Sequence, residues 1–238
     1  MYKGIYVGLS GAVLRHQQVD IVAQNLANVS ATGYKRDRMS FRSYMLSEDA
    51  AQPSTAIYPE SKTMATLSRQ ETDFTAGEIF YTGNTLDVAI FGDAFFSILT
   101  PEGERYTRNG TFKLDSEGGL ITSDGYQVLS ESGPIVLSKT GQITINRNGK
   151  ISVDGAAAES LKLVGLKNPV KQGASLFSGS PVKTDAEVKQ GALEHSNVNA
   201  FREMIGLVEA MRVYETNQKV IQAFDALAGK AANDLARV

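Results

Sequence analysis

Helix breakers are placed unevenly along this chain, and their placement limits what it can fold into. All six prolines lie between Pro53 and Pro181, and fifteen of the 22 glycines lie between Gly77 and Gly179. Both ends lack proline and the middle is full of turns, which spells helix, then sheet, then helix. The pattern predicts an α+β fold. A discontinuous helical domain, coiled-coil-like and drawn from the two termini, accompanies a central mainly-β domain.

The first segment has a clear period. Ile5, Leu9, Ala12, His16, Val19, Ala23 and Leu26 recur at alternating steps of four and three, a heptad seam that is apolar except at His16. A helix over these positions would be ~33 Å long at 1.5 Å per residue. Gly4, Gly8 and Gly11 each cost ~1 kcal/mol relative to alanine inside it. Alone in water such a helix is marginal. Near the other end, Val213, Asn217, Val220, Phe224, Leu227 and Ala231 form one stripe, and Leu207, Met211, Tyr214, Gln218 and Ile221 an adjacent one. Together they make a broad apolar face. Asn197 or Asn199 can cap its start. Periodicity alone leaves two readings open. The helices dock on the β-domain as ordinary amphipathic helices, or they pair and are completed by neighbouring subunits.

The middle reads as short strands near 86–90, 95–99, 106–114, 120–122, 127–129, 135–137, 143–145, 151–153 and 161–166, with an Asn109-Gly110 hairpin signal inside the third. Spacing of roughly 8–12 residues suits a barrel or sandwich. Residues 44–76 show no consistent period. The expected division is a terminal helical assembly domain (1–30 and 197–238), an extended connector (31–75) and a β-rich domain (76–190).

Composition removes whole classes of function. A net charge of -2 and a pI near 5.8 argue against nucleic-acid binding, which needs a basic surface. No apolar run approaches the ~20 residues of a membrane span, so no membrane insertion is expected. Zero cysteines exclude thiolate metal sites and a cysteine nucleophile, and two histidines exclude a histidine-rich centre. No cofactor or metal is expected. The first residues lack a continuous apolar core, so no cleavable secretory signal is expected. Ser180-Pro181-Val182-Lys183 and Lys139-Thr140-Gly141 match fragments of serine-hydrolase motifs in the wrong order. Asp115-Ser116-Glu117-Gly118 reads as a β-turn rather than a calcium loop. His16 on a seam, and His195 between Glu194 and Ser196, do not build a catalytic triad. The chain is not expected to be an enzyme.

Longer words are more specific. Ser10-Gly11-Ala12, followed by Asn25-Leu26-Ala27-Asn28-Val29-Ser30-Ala31-Thr32-Gly33-Tyr34-Lys35-Arg36, resembles the N-terminal signature of the flagellar rod and hook family. Gly83-Asn84-Thr85-Leu86-Asp87-Val88-Ala89-Ile90, Gly92-Asp93-Ala94-Phe95-Phe96 and Tyr106-Thr107-Arg108-Asn109-Gly110-Thr111-Phe112 look like its central motif. Leu193-Glu194-His195-Ser196-Asn197-Val198-Asn199 and Arg212-Val213-Tyr214-Glu215-Thr216-Asn217-Gln218-Lys219 are similar to its C-terminal signature. The likeness spans almost the whole chain, and the modest length is similar to that of the proximal-rod branch.

The resemblance implies a structural subunit of the flagellar basal-body rod, polymerising through its terminal helices into the axial shaft that carries torque to the hook. It implies further copies and other rod and hook-basal-body subunits as partners, export by the flagellar type III apparatus, and a place in the rod across the periplasm. It implies helices that order on assembly. It singles out Asn25, Asn28, Gly33, Lys35, Asp87, Gly92, Phe95, Phe96, Asn197 and Asn199 as motif positions. Asn28 is expected to stop the first helix, with Gly33 at positive φ in the turn that follows. Gly92-Asp93 is expected to turn between two strands, with Phe95 and Phe96 on opposite strand faces. Two other classes stand beside it: a glycan-binding β-domain, which needs exposed aromatics on one sheet face, and a secreted enzyme, which needs a pocket of clustered carboxylates.

Overall fold

The computed structural model describes residues 2–46, 62–137 and 141–235. Among them are helices α1 (Tyr2–Ala27) and α2 (Ala200–Leu235). Between the helices, among the described residues, come sixteen strands: β1 (Asp37–Leu46), β2 (Lys62–Thr72), β3 (Ile79–Tyr81), β4 (Val88–Phe91), β5 (Phe95–Thr100), β6 (Gly103–Thr107), β7 (Phe112–Leu114), β8 (Leu120–Thr122), β9 (Gln127–Val128), β10 (Ile143–Ile145), β11 (Lys150–Val153), β12 (Ala156–Ser160), β13 (Leu163–Lys171), β14 (Leu176–Val182), β15 (Glu187–Gln190) and β16 (Ala192–Glu194). The architecture is α+β.

Helix boundaries follow local chemistry. The chain leaves α1 through a turn in which the Ala31 N–H donates to the Asn28 carbonyl, and Gly33 follows at φ 67°. Asn199 caps α2: its side-chain oxygen accepts the Arg202 N–H at 3.0 Å, and Glu203 lies in the first turn, where the helix dipole favours an anion.

The chain divides into two compact units. The first holds residues 1–26, 37–71 and 199–238, the second 27–36 and 72–198. In the first, β1 and β2 form a two-stranded sheet within the stretch read from sequence as a connector, and 47–61 of that stretch lie outside the described residues.

The second unit is built on a seven-stranded sheet in the order β13-β14-β6-β5-β9-β8-β7. One edge of β5 is shared. Its first residues pair with β13 (Phe96 with Leu163, Phe95 with Val164) and its later ones with β9 (Ile98 with Val128). Its other edge pairs with β6, which pairs in turn with β14. Four strands therefore close into a ring, β5-β6-β14-β13, which removes the free edges of that part of the sheet. Smaller pairings are β15 with β4, β16 with β3, and β10-β11-β12.

The period of two along β5 feeds two cores. Phe96 enters the larger, with Val88, Ile98, Phe112, Leu120 and Ile135. Phe95 enters the smaller with Tyr106, Val164 and Phe177, and Phe74 packs edge-on to both Phe95 and Phe177. Gly92 turns between β4 and β5 at φ 100°.

The Asn109-Gly110 signal does not make a hairpin. The strand before it, β6, pairs with β5 and β14, while β7 pairs with β8. Gly110 is present because a Cβ there would collide with the Val88 carbonyl, and its own carbonyl accepts the Val88 N–H. Residues 135–137 do not form a strand: Val136 makes an isolated bridge to Gly119, as Pro134 does to Leu129. Ser180-Pro181-Val182 lies in β14, and Lys139-Thr140 lies outside the described residues. Asp115 makes an Asx-type turn, its Oδ1 accepting the Glu117 and Gly119 N–H groups at 2.8 Å each.

Candidate functional site

Three arrangements gather the residues singled out in the sequence: the α1–α2 pair, a clasp at Asn25, and a buried ion cluster.

α1 and α2 pair antiparallel. Gly8 faces Ile221, Gly11 faces Asn217, the His16 ring lies 5.9 Å from that of Tyr214, and Asn25 reaches Glu203. A Cβ on Gly8 would lie 3.2 Å from Ile221 Cγ1, and one on Gly11 3.2 Å from Asn217 Nδ2. These glycines are costly for an isolated helix, yet here they let two helices approach closely. The buried and half-buried line on α2 runs Glu203, Leu207, Ala210, Tyr214, Asn217, Ile221, Phe224, Ala228 and Ala231, a heptad register. On α1 the buried positions among the described residues are Gly8, Ala12, Leu14, Val22 and Asn25.

The residues read from periodicity divide between the two surfaces. Ala12 is buried, and Ile5, Val19, Leu26, Leu207, Tyr214, Ile221 and Phe224 are half-buried. Leu9, His16, Ala23, Met211, Val213, Gln218, Val220 and Leu227 are exposed. A broad apolar face contains several possible seams. Which one meets the partner depends on where the small residues of the opposite helix allow contact, and one helix's sequence does not carry that.

At the clasp, the Asn25 side chain accepts the Asp37 N–H at 3.0 Å and donates to the Asp37 carbonyl at 2.9 Å and to Glu203 Oε2 at 3.3 Å. All three residues are buried. One amide thus fixes the end of α1 to the start of β1 and to the first turn of α2.

The ion cluster lies in the second unit. Lys35, Arg108 and Glu194 have side chains only 1–3% exposed. Lys35 Nζ meets Glu194 Oε1 at 2.6 Å and donates to the Thr75 carbonyl at 2.8 Å. Arg108 Nε lies 3.3 Å from Glu194 Oε2, and its Nη1 donates to the Gly92 and Ala94 carbonyls. Glu194 Oε1 also accepts the Gly77 N–H, and the Glu194 carbonyl accepts the Gly33 N–H. Burial pushes the Lys35 amine below its ordinary value, against the opposing pull of Glu194. Burial pushes Arg108 down as well, and Glu194 again opposes.

Motif residues frame this cluster. Gly33 is required twice: its φ is positive, and a Cβ would sit 2.5 Å from the Arg108 backbone. Asn197 accepts the Arg36 N–H at 2.8 Å and donates to the carbonyls of Asp73 and Thr75. Arg36 Nε lies 3.9 Å from Asp73, and Lys171 sits 3.9 Å over the Tyr34 ring. Asp87 is buried apart from the cluster, held by Asn84 Nδ2 at 3.0 Å. The N-terminal, central and C-terminal signature words therefore meet around one carboxylate.

Glu194 and Arg108, the centre of the arrangement, were not singled out by sequence reasoning. A charge following two apolar residues in Ala192-Leu193-Glu194 was the available signal, since all three are buried. Among the described residues, no group of three or more His, Asp or Glu could hold a metal ion, and no helix is long and apolar enough to cross a membrane. Arg108 Nε and Glu194 Oε2 face each other at 3.3 Å without a well-formed hydrogen bond, while the remaining contacts of the cluster tie the segments at Gly33, Thr75, Gly77, Gly92 and Ala94 together, so the arrangement fastens chain segments.

Comparison with known proteins agrees in chain order. Residues 5–35 match the flagella basal body rod protein family, 89–153 the flagellar hook protein FlgE/F/G D1 domain, and 189–235 the flagellar basal body rod FlgEFG protein C-terminal family. The chain is 33% identical to the flagellar basal-body rod protein FlgG of Borreliella burgdorferi, covering 98% of both chains. It is 32% identical to FlgF of Caulobacter vibrioides over 100% of both, and 32% identical to FlgF of Escherichia coli over 97% of both.

Proposed function

The chain belongs to the flagellar basal-body rod family and is a structural subunit of the rod, and on that premise we propose that it polymerises through its N- and C-terminal helices into the axial shaft that transmits torque to the hook. The observation that carries this is the outer surface of the helix pair. Leu9, Val13, Met204, Val208, Met211, Val213, Val220 and Leu227 are all at least 40% exposed. Apolar side chains are thus exposed on both flanks of α2 and on α1, and large exposed apolar side chains of this kind mark interaction surfaces. The helices and the segments next to them (1–30 and 197–238) act as the assembly domain, 31–75 connects, and 76–190 supplies the β-domain that sets subunit spacing. Its partners are further copies and neighbouring rod and hook-basal-body subunits, delivered by the flagellar type III apparatus. A chain without cysteines passes such a route with no risk of disulfide trapping. We assign it no enzymatic activity.

Length favours an FlgF-type subunit: alignments run over 251 residues with the Caulobacter FlgF and 261 with the Borreliella FlgG. The FlgG type is the alternative, and complementation of strains lacking one or the other separates them.

The test is Val220→Asp. Val220 is 41% exposed, so a carboxylate there leaves the monomer folded and places a charge in the interface. Rod assembly and motility should be lost while the circular dichroism spectrum is unchanged. Normal swimming would refute assembly through this face.

A further inference from the structure

Asparagine stands directly before glycine twice in the chain, at Asn109-Gly110 and at Asn148-Gly149. Such a pair carries a reaction of its own. The glycine amide nitrogen attacks the asparagine side-chain carbonyl carbon, and glycine has no Cβ to hinder the approach. The fold decides which pair can reach that geometry. At the first, Asn109 Oδ1 accepts the Thr111 N–H at 3.1 Å, and the Asn109 N–H donates to Thr107 Oγ1 at 3.1 Å. Gly110 is buried, its carbonyl accepts the Val88 N–H at 3.0 Å, and a Cβ on it would lie 3.2 Å from the Phe96 ring. Moving either residue disturbs the larger core. The second pair forms the tip of the β10–β11 hairpin. Asn146, Arg147 and Asn148 are exposed, and the Asn148 carboxamide bonds to no other group among the described residues. Gly149 follows at φ 77°, the glycine bulge of a short hairpin loop. It packs on Leu161 and Leu163, and its N–H is held by one turn bond, to the Asn146 carbonyl at 2.9 Å. A single bond at an exposed tip opens at the low end of local stability. Arg147 and Lys150 flank the pair in sequence, and nearby positive charge favours the amide anion that attacks.

We propose that Asn148 is a site of spontaneous deamidation and that the fold protects Asn109 from the same reaction. The Gly149 nitrogen loses its proton to hydroxide and bonds to Asn148 Cγ. The Cγ–Nδ2 bond breaks, and ammonia leaves with a proton from water. Water then opens the five-membered succinimide at either carbonyl. One opening gives aspartate. The other gives isoaspartate, in which the main chain runs through Cγ and is one carbon longer. The net change consumes one water and releases one ammonia, with nothing oxidised or reduced. Its consequence is mechanical. The Gly149 carbonyl accepts the Leu161 N–H at 2.8 Å, and the Arg147 carbonyl accepts the Val188 N–H at 2.8 Å. A longer main chain between these two carbonyls cannot keep both bonds in place, so isoaspartate loosens the hairpin tip from Leu161 and from β15.

The test incubates the full-length protein in warm neutral buffer, with a parallel sample in concentrated urea. Both are then cut after glutamate and read by mass spectrometry. Cleavage after Glu104, Glu117, Glu131 and Glu159 puts Asn109 in the peptide 105–117 and Asn148 in the peptide 132–159. In the folded protein, 132–159 should gain the mass of an amide NH2 replaced by OH at Asn148, at least roughly tenfold faster than 105–117 gains it at Asn109. Fragmentation should find isoaspartate as well as aspartate there. In urea, where no fold protects either pair, the two rates should converge. An Asn148→Gln variant, changed at an exposed position, should keep its circular dichroism spectrum and lose the gain in 132–159. An unchanged 132–159 from the folded protein would overturn the proposal. So would equal rates at the two sites before unfolding, or aspartate formed with no isoaspartate, which would mean direct hydrolysis without attack by Gly149.

Discussion

Replacing Glu194 by glutamine removes one negative charge from a place that holds two positive ones. The wild-type cluster carries Lys35, Arg108 and Glu194, with Lys35 Nζ at 2.6 Å and Arg108 Nε at 3.3 Å from the carboxylate. None of the three side chains is more than 3% exposed, so water cannot replace the lost counter-charge. Breaking a buried pair from one side costs about 3–5 kcal/mol, because the remaining charge stays desolvated. Here two cations are left facing a neutral amide. Glutamine keeps the size and can still accept the Gly77 N–H, so packing contributes little to the difference. At roughly 2–4 °C per kcal/mol for a protein of this size, the melting temperature should fall by roughly 10 °C. Scanning calorimetry of the full-length protein measures it directly. Adding Lys35→Met to Glu194→Gln should recover part of the loss by removing one of the stranded cations. A shift below about 2 °C for Glu194→Gln, or no recovery in the double variant, would refute the account of the cluster as a charge-balanced fastening.

Three further outcomes follow from the same structure. Lys35→Met alone should cost less than Glu194→Gln, because Arg108 still neutralises the carboxylate. Burial holds the Lys35 amine below the ordinary 10.5, so between those two values the unfolded chain binds the proton more tightly. The stability of the wild type relative to Lys35→Met should therefore rise as pH approaches 10.5, and a fall in denaturant titrations would contradict the stated cause. Gly8→Leu should destabilise the helix pair by about 1–2 kcal/mol, since overpacking against Ile221 exceeds the gain in helix propensity. A higher melting temperature by far-UV circular dichroism would mean that Gly8 is a weak spot and not a packing surface.

Local chemistry was legible wherever a residue acts through its own backbone. Asn199 as a cap, Gly33 at positive φ, the Gly92 turn and the opposite faces of Phe95 and Phe96 all follow from the residue type and its neighbours along the chain. Asn109-Gly110 was misleading for the same reason. A dipeptide reports a preference for a turn, whereas Gly110 answers to the Val88 carbonyl more than twenty positions earlier.

Sequence by itself determined the terminal helices, the strand-rich middle, the absence of thiol chemistry and the motif words that define the family. These depend on breaker placement, period and residue type, all of which act over a few neighbouring positions. Tertiary structure alone decided which stripe of α2 faces α1, because Gly8 and Gly11 select the seam at Asn217 and Ile221 from across the pair. It alone decided why the three signature words matter together. Lys35, Arg108 and Glu194 are far apart in sequence, and a desolvated carboxylate balanced by two cations exists only once the fold has brought them within 3.3 Å and excluded water.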